Sequence, residues 1–205
     1  MKLLAQPHGS HRGFSVVELL IVVAIVLVIA ALAIPGIQNT LATMAVRNTM
    51  GQMSGIAQSC RSLAVRRSRT KTLHVVTMQN RAVLFTQTCE SAGCTANFDA
   101  RVNAEDQALY LPTGFEVASS SDVPGELDPA TIWGNSSTVG TKDVTFNARG
   151  LPCDLSTLPC GAPRGFIVYF KYAALGSKPR YVALTVSPAG RIKTFSWNDS
   201  NQWGD

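Results

Sequence analysis

The sequence predicts an α+β fold: a long N-terminal helix, first transmembrane and then amphipathic, packed on an antiparallel β-sandwich-like head. Three observations support this. Residues Phe14–Ile34 form an apolar run of 21 residues with one ionisable side chain, Glu18. Apolar side chains then recur at helical spacing up to about Thr70. From Lys71 onward the period falls to two, and turn residues punctuate the strands. The chain therefore divides into a polar leader (1–13), a membrane-spanning helix (14–35), an amphipathic helix (36–70) and a β-rich head (71–205).

At about 1.5 Å per residue the apolar run makes roughly 31 Å of helix, enough to cross a hydrocarbon core. Lys2 and Arg12 precede it, with His8 and His11 nearby, and the acidic segments follow it. That asymmetry places the N-terminus in the cytoplasm and the head on the other side. The run exceeds the ~7–15 residues of an ordinary secretory signal core. Ala30, Ala31 and Ala33 could mimic a cleavage site, but the helical pattern continues past them. Pro35-Gly36 is expected to kink or loosen the helix, because proline removes one backbone bond and crowds the preceding turn.

Beyond the kink, Ile37, Leu41, Met44, Ala45 and Val46, then Met53, Ile56, Ala57, Cys60, Leu63 and Ala64, mark an amphipathic face. KTLHVVTMQNRAVLFTQT reads as a hairpin around Gln79-Asn80. ALYL (108–111) and GFEVA (114–118) are short strand candidates, and 119–142 reads as a long mobile loop. VTFNARG, RGFIVYFKY, RYVALTVS and GRIKTFSW read as an antiparallel meander, half-buried because aromatic and β-branched residues alternate with polar ones.

The net charge is +5; removing Lys2 and Arg12 leaves 16 bases against 13 acids, or +3, from Phe14 onward. That excess alone does not argue for a nucleic-acid partner. RSLAVRRSRTK (61–71) holds five bases, and 90–128 holds eight acids against Arg101; both read as solvated charge. The five cysteines include two local pairs, Cys89/Cys94 and Cys153/Cys160, whose gaps differ from zinc knuckles and favour disulfides in an oxidising compartment. Cys60 is left as a buried thiol. Enzymatic function is disfavoured: beyond the leader His74 is the single histidine, and no nucleophile elbow, metalloprotease motif or phosphate loop occurs. The acids lack calcium-loop spacing, so neither metal nor cofactor is expected.

Gly13-Phe14-Ser15-Val16-Val17-Glu18, followed by the unbroken apolar helix, resembles the type IV prepilin and pseudopilin signature. The resemblance implies cleavage after Gly13 by a prepilin peptidase and N-methylation of the new terminus, Phe14. Glu18 and Pro35 fall where the family has its glutamate and its helix-kinking proline. Glu18 then has a task in assembly: its carboxylate can pair with the terminal amine of a neighbouring subunit, and the cost of an unpaired charge in lipid enforces register.

CRSLAVRRSRTKTLHV (60–75) is similar to the helix end of the GspH/FimT family of minor pseudopilins, with Arg61, Ser62 and Ala64 fitting and Cys60 and Leu63 departing. VTFNARG, FIVYF and YVALTVSPAGRIKTF resemble its closing strands, including Gly190-Arg191; residues 90–142 match nothing in it. This resemblance implies a minor pseudopilin of a type II secretion-like apparatus, or a minor type IV pilus subunit. It would be inserted in the inner membrane with its head in the periplasm. The implied partners are other pseudopilins or minor pilins, the peptidase and secreted cargo. The alternative is a DNA receptor in natural transformation, with Arg191 and Lys193 as first contacts and Arg180 and Lys178 nearby. The acidic ending SWNDSNQWGD departs from the more basic tail of such members.

Overall fold

A computed structural model describes residues 15–89, 94–96, 106–134, 139–155, 160, 163–173, 179–197 and 202–204, and within the first helix the side chains of 33–36 and 38 are not described. The chain forms two compact units, Met1–Leu41 and Ala42–Asp205. Helix α1, Val16–Arg67, contributes to both.

In the second unit, Ala42, Val46, Thr49, Met53, Ile56, Ala57, Cys60, Leu63 and Ala64 of α1 are buried, a stripe at steps of three and four. The predicted face holds from Val46 onward. Ile37, Leu41 and Met44 are exposed instead, so the apolar positions before Ala42 do not face this core. Thr49 sits inside the stripe because its hydroxyl donates to the Ala45 carbonyl at 2.8 Å.

Strands β1 (Lys71–Met78) and β2 (Arg81–Thr88) pair from Lys71↔Thr88 to Met78↔Arg81. Gln79 and Asn80 close the hairpin with φ of 49° and 58°, the two left-handed residues that match strand twist. β3 (Ala108–Tyr110) joins β2, and β6 (Val144–Phe146) joins β1, giving a four-stranded sheet β3-β2-β1-β6. The second sheet runs β10-β9-β8-β7-β4, built from β4 (Phe115–Ala118), β7 (Gly165–Tyr172), β8 (Arg180–Val186), β9 (Ile192–Trp197) and β10 (Trp203–Gly204). A two-residue strand β5 (Val139–Gly140) lies parallel to the start of β7.

Two expectations need correction here. VTF does not belong to the closing meander: β6 pairs with Lys71–Leu73 of the first sheet, and the meander runs through β7, β8, β9 and the short β10. The stretch 119–142 is also more ordered than a loop. It contains a 3-10 turn at Ser120–Asp122, helix α2 (Pro129–Trp133) and β5. Asp128 caps α2 by accepting from the Ala130 N–H and the Thr131 hydroxyl, with proline at the first helical position.

This ordered stretch explains a third difference. β7 and β8 are buried on both faces rather than half-buried. Phe166, Val168, Phe170, Val182, Leu184 and Val186 join the core shared with α1 and the first sheet. Ile167, Tyr169 and Ala183 face the other way, under Leu127, Val123, Ile132, Trp133 and Trp203. The Tyr169 hydroxyl accepts from the Leu127 N–H at 2.9 Å, and Trp203 Nε1 donates to the Gly125 carbonyl at 2.8 Å. The turn AALGSKP lies largely outside the described residues.

The charge clusters are not uniformly solvated. Lys71 and Asp106 are 3% and 2% exposed and meet at 2.8 Å. Burial pushes the neighbouring Cys60 thiol far above its ordinary range, and Asp106 adds to the shift while Lys71 opposes it. Cys60 is buried and unbonded, whereas Cys89–Cys94 and Cys153–Cys160 are disulfide-bonded.

Candidate functional site

Two features of the chain stand out, and they belong to different units.

The first is the start of α1. Ser15 precedes the helix, and its hydroxyl accepts from the Val17 N–H at 3.3 Å while its carbonyl accepts from the Leu19 N–H. Ser15-Val16-Val17-Glu18 has the spacing of a capping box, a local signal that the sequence reading passed over. Glu18 lies in the first turn, where the positive end of the helix favours a carboxylate, and it is exposed. From Val16 to Leu32 the large apolar side chains on every side of the helix are between 48% and 78% exposed. A helix that is apolar all round finds stability only in lipid or against other apolar surfaces. Among the described residues no helix is long and apolar enough to cross a membrane. The described side chains of the run end at Leu32, inside the Phe14–Ile34 stretch. Gly13 and Phe14 lie outside the described residues. Helix α1 continues through Pro35 and Gly36.

The second feature is a cleft where the end of α1 meets the β8–β9 turn. A cavity of about 540 Å³ is lined by Gln58, Arg61, Ser62, Val65, Arg66, Gly190, Arg191 and Ile192. Arg61 organises it. Its Nε donates to the Gly150 carbonyl and a terminal nitrogen donates to the Gly190 carbonyl, both at 3.0 Å. Gly150 and Gly190 have φ of 74° and 82°, so each turn needs a residue without Cβ. A Cβ on Gly150 would stand 2.8 Å from Val65 Cγ2, and one on Gly190 would stand 3.1 Å from the Gly150 carbonyl oxygen. One guanidinium thus fastens two turns, one after β6 and one after β8, to the helix. We expect Arg61→Met to destabilise the head by about 2–4 kcal/mol, from two lost charge-assisted bonds, and Arg61→Lys to recover only part because an ammonium cannot reproduce the fork. Chemical denaturation of both variants checks this; an unchanged midpoint for Arg61→Met would remove the clamp.

Of the basic residues named for DNA contact, three are described, and Arg180 stands apart from Arg191 and Lys193. Arg191 is exposed in the cleft beside Arg66. Lys193 is half-buried, with its ammonium 5.4 Å over the Phe195 ring. Arg180 pairs with Tyr172 at the far end of β8, six residues from Val186, which faces Ile192; at ~3.3 Å per residue that is about 20 Å away. Lys178 lies outside the described residues.

The family described as the prokaryotic N-terminal methylation motif matches residues 9–34. No curated relative matches the chain. Among solved structures the chain is similar to the type IV minor pilin FimU of Pseudomonas aeruginosa in two crystal forms. The identities are 16% and 17% and the TM-scores 0.40 and 0.41, over 78% and 79% of this chain and 97% of each FimU chain.

Proposed function

We propose that this type IV pilin-like chain is a minor subunit of a pilus or of a type II secretion-like pseudopilus. It is made as a precursor, cut after Gly13, methylated on Phe14 and held in the inner membrane by residues 14–35 until it is drawn into a filament. One observation carries the proposal: the methylation motif opens directly onto a helix whose apolar side chains are exposed on every side. Lipid covers those side chains before assembly and neighbouring helices cover them after it. A kink at Pro35-Gly36 would set the exit angle. The head, in the periplasm, would meet other minor pilins or secreted cargo. Prepilin peptidase is the enzyme of the scheme, and this chain is its substrate.

The DNA-receptor alternative has less support among the described residues. Phosphate tracking needs clustered cations, and Arg180 stands about 20 Å from the Arg191 cleft along its strand.

Mass spectrometry of the protein extracted from membranes of cells with active peptidase tests the proposal. The expected N-terminus is N-methyl-Phe14. A chain that still begins at Met1 would overturn the filament reading.

A further inference from the structure

The outer face of the first sheet holds a buried cluster that neither the helix nor the cleft uses. His74, in β1, is fully buried against Phe85, their ring centroids 5.2 Å apart. Its Nδ1 stands 2.9 Å from Asp143 Oδ2, close but off the hydrogen-bonding line. The other Asp143 oxygen accepts from the Val75 N–H at 3.0 Å, which fixes the carboxylate. His74 Nε2 points the opposite way and lies 3.8 Å from Cys89 Sγ. Cys89 is bonded to Cys94, and Gln87 Nε2 donates to the Cys94 sulfur at 3.7 Å. The donor atoms of His74, Cys89 and Cys94 all lie within 4.8 Å of one another.

We infer that the Cys89–Cys94 disulfide closes a latent zinc site, and that reduction lets His74 Nε2 and the two cysteine thiolates bind one thiophilic divalent cation. Zinc takes thiolate sulfur at ~2.3 Å and imidazole nitrogen at ~2.1 Å in tetrahedral geometry, which sets neighbouring nitrogen and sulfur ligands about 3.6 Å apart. His74 Nε2 and Cys89 Sγ already stand at 3.8 Å. Zinc-bound histidines usually give their second nitrogen to a carboxylate or carbonyl, and Asp143 Oδ2, 2.9 Å from Nδ1, needs only a small reorientation to accept it. The fourth ligand comes from solvent: His74, Cys94 and Asp143 line a cavity of about 400 Å³, and Cys94 is half-buried on its wall. Among the described residues the polar atom beside Cys153 Sγ is instead the Thr145 carbonyl.

The chemistry balances with a dithiol reductant. It delivers two electrons and two protons to the disulfide, the S–S bond opens to two thiols, and the reductant leaves as its own disulfide. Zinc binding then releases both thiol protons to water. Reoxidation by exchange with a disulfide oxidant, which takes up the two electrons and leaves as its own dithiol, re-forms the Cys89–Cys94 bond and expels the metal.

The test uses the full chain in detergent, with Cys153 and Cys160 replaced by alanine so that one disulfide remains. Zinc is titrated against a chromophoric chelator before and after reduction by a phosphine, and cobalt replaces zinc for a thiolate charge-transfer band. One equivalent of zinc bound only after reduction is expected, with the cobalt band present. His74→Gln should weaken zinc at least ~10-fold, and Asp143→Asn by about 10–100-fold with the band retained. Equal uptake in both redox states, no uptake by the reduced folded chain, or the parent's zinc affinity in His74→Gln would overturn the inference. Should His74→Gln fail to fold, unchanged affinity in Asp143→Asn does the same.

Discussion

Asp106→Ala is expected to destabilise the head by about 3–5 kcal/mol, because it leaves the Lys71 ammonium buried without its partner. The pair lies where β1 leaves the end of α1, and Thr86 supports it from β2: its hydroxyl accepts from the Gln107 N–H next to Asp106. Removing both charges, as Lys71→Met with Asp106→Leu, should return most of the loss, since an apolar pair of similar volume avoids desolvating two ions. The comparison separates a pair that adds stability from one that is merely costly to break. Urea denaturation of the two variants beside the parent reads it. A loss below about 1 kcal/mol in Asp106→Ala would place the pair among ordinary surface contacts.

Gly13→Ala is expected to abolish processing, so that the precursor accumulates at full length and none of it enters a filament. The reason is electrostatic as well as enzymatic. In the proposed scheme, cutting after Gly13 would leave a new cation on Phe14, four residues before Glu18 in the first turn of the helix. In an apolar bundle a carboxylate gains from meeting such a cation on an adjacent chain and loses heavily without one. The uncut chain offers no amine there. Glu18→Val is the companion variant. It should keep membrane insertion and cleavage, because the apolar run is lengthened rather than broken, yet lose co-purification with partner subunits. Precursor of Gly13→Ala that assembles normally, or Glu18→Val that still co-purifies with its partners, would detach the amine–carboxylate pairing from assembly.

Much of the fold was legible because periodicity reports burial directly. Met53 to Ala64 showed the inward face of α1, and Gln79-Asn80 marked the hairpin turn. Three things were not legible, each for a physical reason. A buried ion pair looks like two solvated charges until the strands bring Lys71 and Asp106 together across 35 residues. β6 carries too few residues to announce its sheet, and its neighbour was settled by register with Lys71–Leu73. The double burial of β7 depends on what covers it, and the cover is Ser-, Pro- and Gly-rich sequence with scattered apolar anchors such as Leu127 and Trp133. At the contact features, the resemblance singled out Arg61 and Gly190, but neither residue alone showed that one reaches the other.

The covered outer side of the second sheet bears on how such a head diversifies. Its framework, the strands and the inner layer, is insulated from solvent by a separate facing whose exposed positions include Ser121, Asp122, Glu126 and Thr131. Drift in the facing alters outward chemistry while the anchors Leu127 and Trp133 stay seated. Substitutions at these exposed positions can therefore change the outward chemistry while the packing beneath is kept.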